Sequence, residues 1–191
     1  RTFFARRNQK GTFIASDIFR LKDLEKHFPL ILIHDVIEHI ETKSKFLSGM
    51  KSYLSAGGVI FIAFPAWQMP FGGHQQIARG TVVSHLPFIH LLPRVLYKWI
   101  LETGDEEEDT IKELLSIKET KCTIEMFRNL VKQTGYQIVD QQLFFINPHY
   151  EVKFGLSPRK LGRVLSSIPY LRNFFSTSCF YLLKKTEDKE S

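Results

Sequence analysis

The sequence lacks most of the features that would assign it to a specialised class of protein. It has two cysteines, Cys122 and Cys179, which form no C-x-x-C pair and have no spacing typical of metal ligands. This pattern favours reduced thiols in a cytoplasmic protein over a disulfide framework or a cysteine-ligated metal. No apolar run reaches the roughly 18 residues that a membrane span requires, and the sequence has no internal repeat or low-complexity segment.

What is present is typical of one globular domain over residues 1–191. Hydrophobic residues make up 43% of the chain and charged residues 24%, which is enough to bury a core. There are 17 phenylalanines, so we expect an aromatic core or pocket. The net charge of +6 permits a phosphate-bearing or membrane-surface partner but does not require one.

Apolar runs in the first third of the chain predict an α/β sheet. Pro29–Asp35 and Val59–Phe64 are apolar on both faces, as expected of buried parallel strands. Between them, Thr42–Leu54 has helical periodicity, and Gly57 is placed to end that helix. Thr12–Asp17 is predicted to be a shorter strand upstream. This order and spacing indicate a parallel sheet covered by helices.

The later part of the chain has a different pattern. Thr123–Gly135 is predicted to be a helix that its first and last residues cap. Strands are predicted at Tyr136–Phe145 and Ser178–Leu183, with a short basic helix at Pro158–Ser166 between them. The acidic run Glu102–Asp109 is predicted to be a solvated turn between helices.

Two segments resemble a known family. Residues 28–39, FPLILIHDVIEH, and residues 56–67, AGGVIFIAFPAW, are similar to segments of class I methyltransferases of the type 11/12 kind. The resemblance implies S-adenosylmethionine as the cofactor. It also implies a Rossmann-like sheet that is mostly parallel with an antiparallel last strand, and a helical cap over residues 81–121.

The glycine-rich part of the family's cofactor site is missing from this sequence. The family has two further strands, of which one leads into a glycine-rich turn over the cofactor and one carries an acid for the ribose hydroxyls. No G-x-G-x-x-G occurs here. A sheet without these strands would leave buried backbone groups unpaired. We therefore expect them upstream of Arg1 in a longer protein; the alternative is a degenerate site.

The resemblance places the cofactor at the ends of the first two predicted strands. Asp17 would accept a hydrogen bond from the adenine amino group, beside Ile18, or would only cap the following helix. Ile33, His34 and Asp35 end a parallel strand, where open α/β sheets bind ligands. They would meet the methionine end of the cofactor, although His34 would equally suit a half-buried packing position.

Glu38 and His39 match an E-H pair of the family, in which the histidine more often orients the loop than reacts. A metal site formed by this pair with His34 and Asp35 is not predicted. The two histidines are about 140° out of phase on a helix, whereas helical zinc sites need them one turn apart. An H-x-x-E-H motif would need histidine at position 35.

The loop Phe64–Gln76, FPAWQMPFGGHQQ, follows the second of these strands. It resembles a subset of the family that reads FPPWYSPFGGHQ here. Trp67, Phe71, Gly73 and Gln75 are predicted to bind a small polar substrate with an apolar face, because aromatic rings and an amide flank a close-approach glycine. The alternative is a glycine-hinged surface loop.

His74, in the same loop, is the candidate catalytic residue. As a general base it would remove a proton from a hydroxyl or amine as that group is methylated. Such a base is optional, because the sulfonium is already activated and in-line positioning matters most. The alternative is a packing role.

Leu86–Leu101 is predicted to be one amphipathic helix. In the family such a segment often forms a lid over the active site; the alternative is contact with a membrane surface. The predicted apolar face comprises Leu91, Leu92, Val95, Leu96, Trp99 and Ile100.

Tyr150 and Lys153 complete the predicted substrate site. They precede the basic helix in Phe145–Lys160, where Lys153 or Arg159 would meet an acidic group. Ordinary surface charges on a wide connection are the alternative.

The sequence thus favours S-adenosylmethionine-dependent methyl transfer to a hydroxyl or amine of a small molecule, such as a sugar or a lipid-linked intermediate. A noncatalytic module with the same fold is one alternative. A nucleic-acid methyltransferase is another, favoured only by the positive charge, because Asn147–Tyr150, NPHY, departs from the NPPY tetrapeptide at its third residue.

Overall fold

The computed structural model describes residues 6–7, 10–21, 24 and 27–186. Within these residues the strands are β1 (Phe28–His34), β2 (Leu54–Phe64), β3 (Tyr136–Ile146), β4 (Arg159–Lys160) and β5 (Ser178–Lys185). The α-helices are α1 (Lys43–Tyr53), α2 (Thr81–His85), α3 (Arg94–Thr103), α4 (Glu108–Thr120), α5 (Ile124–Gln133), α6 (His149–Phe154) and α7 (Arg163–Ser167). Short 3₁₀ helices lie at Ile18–Arg20, Ile37–His39, Gln75–Ile77, Ile89–Leu91 and Leu171–Phe175.

These strands form a sheet in the order β1-β2-β5-β3-β4. β1 and β2 are parallel and are connected through α1, with Ile31 opposite Ile60. β5 lies antiparallel between β2 and β3, and β4 is antiparallel to β3. The predicted parallel pair and the antiparallel end of the sheet are confirmed. The predicted helix Pro158–Ser166 is instead divided between β4 and α7, because Arg159 and Lys160 pair with β3.

β1 is a strand as predicted, but it is not buried on both faces. Leu30 and Leu32 are 47% and 68% exposed, whereas Ile33 is buried in the core. β1 lies at the edge of the sheet, so among the described residues no strand flanks its outer side. An apolar run alone cannot show whether a strand has neighbours on both sides, and here it has one.

The predicted strand Thr12–Asp17 is wrong, because this segment has no strand structure. It lines an apolar groove of about 350 Å³ beside β1 and α1, to which Ile14 and Ile18 contribute. The Tyr53 hydroxyl lies within hydrogen-bond distance of the carbonyl oxygens of Ile18 and Leu21, 2.6 Å from the latter, and its one proton is shared between them. A side chain of α1 therefore anchors the residues that directly follow this segment.

Aromatic rings fill the centre of the core between the sheet and α5, as the phenylalanine content predicts. Phe64 of β2 stacks on Tyr181 of β5 at 5.8 Å between ring centroids. Phe127 of α5 packs on both rings, at 4.8 and 4.7 Å. Such pairs stabilise by about 0.5–1.5 kcal/mol each beyond the burial of area. Cys122 and Cys179 lie in the same core as buried free thiols.

α1 buries the predicted face, which includes Leu47 and Met50, but it ends earlier than predicted. It stops at Tyr53, because Leu54 already has an extended backbone and its buried side chain begins β2. Gly57 therefore does not end the helix, although its φ of 71° does require a glycine early in β2. At α5 the predicted caps are confirmed: the Thr123 hydroxyl accepts from Met126 N–H, and Gly135 follows with φ of 65°.

Helices occupy the predicted insertion at 81–121. α2, α3 and α4 share a small core of their own, in which Val83, Tyr97, Leu101 and Leu114 are buried. The acidic run before α4 is not wholly solvated, which corrects the prediction. Glu106 is 9% exposed, since its carboxylate accepts the backbone N–H groups of residues 79 and 80, both at 2.8 Å.

The predicted helix Leu86–Leu101 is divided into two elements and buries a different face. Phe88 has φ of 65° and Pro93 precedes α3, so the chain turns before that helix begins. Tyr97 and Leu101 face the core. Among the described residues, no helix combines the length and the apolar character needed to cross a membrane. The exposed fractions on the other side are 82% for Val95, 42% for Leu96 and 58% for Trp99.

Candidate functional site

The carboxyl ends of β1 and β2 lie side by side and form the floor of the candidate site. Parallel pairing sets His34 opposite Ala63, and the Asp35 N–H donates to the Ala63 carbonyl oxygen at 2.9 Å. Asp35 has φ of 51°, which turns the chain out of β1 and into the 3₁₀ helix Ile37–His39. The loop after β2 leaves the adjacent strand end. Two segments distant in the sequence thus meet where open sheets bind ligands.

The side chains of His34 and Asp35 are accessible at this edge. Their Nδ1 and Oδ2 atoms are 3.0 Å apart, and about half of each side chain is exposed. The His34 ring also meets the ring of Phe180 edge to face at 6.3 Å. Ile33 differs, because it is buried in the core and only its backbone belongs to the edge.

Three further side chains converge beside this turn: Glu38, His39 and His74. His74 Nε2 lies 3.9 Å from Glu38 Oε1. The rings of His39 and His74 meet at 69°, with their centroids 5.1 Å apart. One nitrogen or oxygen atom from each of the three residues lies within 4.8 Å of the others.

Glu38 is the most unusual member of this cluster. It is 3% exposed, and neither carboxylate oxygen has a hydrogen-bond partner among the described residues. Burial, with a smaller contribution from the charge of Asp35, raises the pKa of Glu38 to about 8, although its own backbone N–H opposes this shift. Lys43 offsets this only in part, since its ammonium donates hydrogen bonds to the carbonyl oxygens of Ile40 and Thr120.

His74 is a neutral imidazole at neutral pH. Burial lowers its pKa below the usual range, and the nearby His39 lowers it further. Its φ of 57° is uncommon for a residue other than glycine. A neutral imidazole has a nitrogen lone pair that can accept a proton or bind a metal ion.

The loop that carries His74 is packed against the helical insertion. The His90 ring meets Trp67 edge to face at 4.7 Å, and its Nε2 lies 2.7 Å from the Trp67 carbonyl oxygen. A Cβ at Gly73 would stand 2.2 Å from His90 Cβ, so only glycine fits there. Gly73 is therefore a point of close approach between the loop and the 3₁₀ helix Ile89–Leu91.

Two predicted substrate residues hold this loop together. Gln75 is fully buried, and its Nε2 donates to the carbonyl oxygens of Pro70 and Leu86 at 3.0 and 3.1 Å. Trp67 is 7% exposed. Phe71 is half-buried, and its N–H lies 3.0 Å from the sulfur of Met69. Contact of these side chains with a substrate stays a prediction.

Of the remaining predicted site residues, Tyr150 is linked to this edge, whereas the contacts of Lys153 and Asp17 are local. Burial and the charge of Asp35 raise the pKa of Tyr150, which places its hydroxyl within electrostatic reach of the β1 turn. Lys153 is exposed, and its Nζ lies 5.1 Å from the centroid of the Phe154 ring. Asp17 caps the 3₁₀ helix Ile18–Arg20 by accepting from a backbone N–H at 3.0 Å. Its contact with adenine stays a prediction.

Sequence reasoning noticed Glu38 and His39 but did not connect them with His74. It tested metal ligation on one helix only, and the third side chain comes from a loop 35 positions further along. The available signal was topological: parallel strands bring the segments that follow them to the same edge. Glu38 and His39 follow β1, and His74 follows β2.

The architecture is that of the Rossmann-like methyltransferases, an α/β fold. A methyltransferase dependent on S-adenosylmethionine from Thermotoga maritima, described as a possible histamine N-methyltransferase, matches over 97% of this chain and 69% of its own, with a TM-score of 0.52 and 11% identity. A structure described by the conversion of a disulfide bond into a thioacetal group during echinomycin biosynthesis matches over 99% of this chain, with a TM-score of 0.55 and 11% identity. This chain spans 62% of the length of that second protein.

These similarities establish the fold alone, because the sequences are so distant. No protein-family model matches the chain, and no curated protein matches it. The predicted α/β class is confirmed, whereas the predicted type 11/12 subgroup stays a prediction.

Proposed function

We propose that the protein transfers a methyl group from S-adenosylmethionine to a small-molecule acceptor with a hydroxyl or amine. One observation carries the proposal: accessible polar groups converge at the carboxyl edge of the parallel pair in a fold shared with S-adenosylmethionine-dependent methyltransferases. This edge is where such sheets bind ligands.

The residues present suit both halves of the reaction. His34 and Asp35 would hold the methionine end of the cofactor, because they are the accessible groups at the end of β1. Trp67, Phe71 and the backbone at Gly73 would shape the acceptor pocket on the loop after β2. Methyl transfer requires mainly in-line positioning of the acceptor. As a neutral imidazole, His74 is able to take the acceptor's proton.

The second candidate is a noncatalytic module with the same fold. It is supported by the absence of a G-x-G-x-x-G motif from the sequence. The nucleic-acid alternative has less support. Asn147–Tyr150 follows β3, a strand with antiparallel partners, and leads into α6. Because β3 runs in the same direction as β2, this segment follows β3 at the same edge of the sheet, but its third residue departs from the NPPY tetrapeptide.

Cofactor binding tests the proposal directly. Protein expressed from its full reading frame should bind S-adenosylmethionine with micromolar affinity, equivalent to roughly −8 kcal/mol. Asp17→Ala should weaken that binding by about 1–3 kcal/mol if Asp17 accepts the adenine amine. Titration calorimetry measures both values.

Asp109→Ala is the matched control, because Asp109 is an exposed carboxylate on α4 that pairs only with Lys112 at 3.6 Å among the described residues. It should leave the affinity unchanged. No binding by the intact protein would favour the noncatalytic module. Unchanged affinity in Asp17→Ala would remove Asp17 from the cofactor site without affecting the broader proposal.

A further inference from the structure

The chemistry of Glu38, His39 and His74 matches a metal site more closely than it matches a packing cluster. Two imidazoles and one carboxylate form a common ligand set for divalent transition metals, in which three protein ligands leave coordination positions open. In this protein their ligand atoms already lie within 4.8 Å of one another. The side chains are brought together by two different strand ends, so their convergence is a property of the fold.

The buried carboxylate is a second and independent observation. Both Glu38 oxygens are buried without a hydrogen-bond partner among the described residues. A buried polar group without a partner is costly, and an unpaired buried charge is more so. By contrast, Glu125 on α5 is satisfied by the Tyr170 N–H at 3.0 Å, Arg172 Nε at 2.9 Å and Asn173 Nδ2 at 2.6 Å. The cation near Glu38 is Lys43, but its ammonium donates to the carbonyl oxygens of Ile40 and Thr120 and hydrogen-bonds neither Glu38 oxygen. Glu38 Oε1 lies 3.9 Å from His74 Nε2.

The distances require little rearrangement to bind an ion. Ligand atoms about 2.1 Å from a tetrahedral metal are about 3.4 Å apart. His74 Nε2 and Glu38 Oε1, now at 3.9 Å, would need to approach by about half an ångström. The three ligand atoms lie within 4.8 Å, so no pair would need to approach by more than about 1.4 Å, a change on the scale of side-chain rotation. His39 is exposed, which gives an ion a route from solvent to the buried carboxylate.

We infer that Glu38, His39 and His74 form a binding site for one divalent transition-metal ion, of the zinc or manganese type. The two imidazole nitrogens disfavour magnesium and calcium, which prefer oxygen ligands. The open coordination positions would accept an oxygen or nitrogen of a small molecule bound at the same edge of the sheet. Asp35 is close enough to influence the electrostatics of both Glu38 and His74, and its negative charge favours a cation there.

An ion bound to His74 would occupy the lone pair that otherwise takes the acceptor's proton, so the two roles of His74 exclude each other. The metal inference is tested without cofactor or acceptor, because metal binding is measured directly. Protein freed of metal with a chelator and dialysed would be titrated with Zn²⁺, Mn²⁺ and Mg²⁺ by calorimetry. We expect one Zn²⁺ or Mn²⁺ ion per chain and much weaker binding of Mg²⁺. Co²⁺ should give the visible absorption bands of a nitrogen- and oxygen-ligated site, which reports the ligands directly.

Single substitutions identify the ligands. We expect metal affinity to fall by roughly 100-fold or more in each of three variants: Glu38→Gln, His39→Ala and His74→Ala. Removal of a residue that only orients a ligand has a smaller effect, about 10- to 100-fold. His34→Ala is the matched control, because it removes a histidine from the same edge but outside the cluster. His34→Ala should change the metal affinity less than about threefold. Even a residue that only orients a metal ligand usually costs about 10-fold or more when it is removed, so this result would place His34 outside the site.

Circular dichroism must show that each variant is folded. If a histidine variant is not, Glu38→Gln carries the test, because it preserves the size of the side chain. Three results would overturn the inference: no stoichiometric binding by the wild-type protein, unchanged affinity in Glu38→Gln, or an equal loss in His34→Ala. The last two would indicate adventitious binding by surface histidines.

Discussion

At the scale of single residues, the contrast between a buried carboxylate, Glu38, and a partly buried one, Glu125, is informative. Glu125 is surrounded by three donors, and these hydrogen bonds together with Arg172 lower its pKa despite burial. Glu38 has no such donors, and its pKa is raised to about 8. Glu125 therefore stabilises the fold, whereas Glu38 opposes it when no ion is bound. A side chain that persists against stability is typical of a functional site.

Neutral substitutions of these two residues should have opposite effects. In chelator, Glu38→Gln should raise the free energy of unfolding by roughly 1–3 kcal/mol, because a buried ionisable group without a partner is removed. Glu125→Gln should lower it by a similar amount, because charge-assisted hydrogen bonds are lost. Urea unfolding followed by circular dichroism measures both. A lower stability in Glu38→Gln would mean that its oxygens have partners in solution.

The protonation state of His90 also follows from single atoms. A carbonyl oxygen can only accept, so His90 Nε2 must carry the proton that it donates to Trp67. His90 Nδ1 is then unprotonated, buried and without a partner among the described residues. Burial lowers the pKa of His90 to about 4. The imidazole therefore stays neutral in the folded protein until the pH approaches 4.

His90 should make the protein sensitive to acid. Its pKa is near 6.5 when unfolded and about 4 when folded, so the unfolded chain binds the extra proton between these values. Stability contributed by neutral His90 is complete above pH 6.5 and falls as the pH drops towards 4, by up to about 3 kcal/mol. His90→Gln keeps a donor near Trp67 and should lose less stability over that range. Urea unfolding at pH 7 and pH 5 compares the two, and equal losses would assign the acid sensitivity to other groups.

At the scale of elements, the loop after β2 depends on close contact with the insertion. Gly73→Ala would place a methyl group 2.2 Å from His90 Cβ, which forces backbone or ring to move. We expect it to destabilise the protein by about 1–3 kcal/mol, as overpacking does. Because Gly73 precedes His74, it should also weaken metal binding. Thermal unfolding and metal titration of the variant measure the two effects.

Gly162→Ala is the matched control for this substitution. Gly162 has φ of −58°, and nothing lies within 4 Å of a Cβ placed there. Its effect on stability should be within about 0.5 kcal/mol, the range of ordinary surface substitutions. Similar effects of the two substitutions would contradict a specific packing requirement at Gly73.

The hydrophobic periodicity of the sequence predicted correctly those helices whose ends are determined by local interactions. Thr123 to Gly135 was bounded correctly because both caps act within a few residues of the helix ends. The segment from Leu86 to Leu101 was not, because the left-handed Phe88 and the turn before Pro93 change which side of α3 meets the core. Val95 and Trp99 are exposed, and exposed apolar side chains are compatible with both a lid and a membrane contact. Both roles of this segment stay predictions.

At the scale of the whole molecule, the sequence predicted the parallel pair and the antiparallel end of the sheet but not what lies beside β1. Val59–Phe64 is buried except for the partly buried Val59 and Phe61, since β2 has neighbours on both sides, whereas β1 has one among the described residues. The candidate site could be predicted only in part, because a sequence pattern shows where a strand ends but not which distant side chains meet there. His34, Asp35 and His74 were found from strand ends, but the contact between Glu38 and His74 is a long-range product of strand pairing.

The two buried thiols can be used to measure local unfolding of the core. Cys122 and Cys179 are 1% and 0% exposed, and burial raises the pKa of both, so neither forms the reactive thiolate in the folded protein. Cys122 lies just before α5, and its carbonyl oxygen accepts from Trp67 N–H at 2.9 Å, whereas Cys179 lies within β5. An alkylating reagent therefore modifies each thiol only as fast as its surroundings open. The difference between the two labelling rates separates opening at the junction with the loop from opening of the sheet itself.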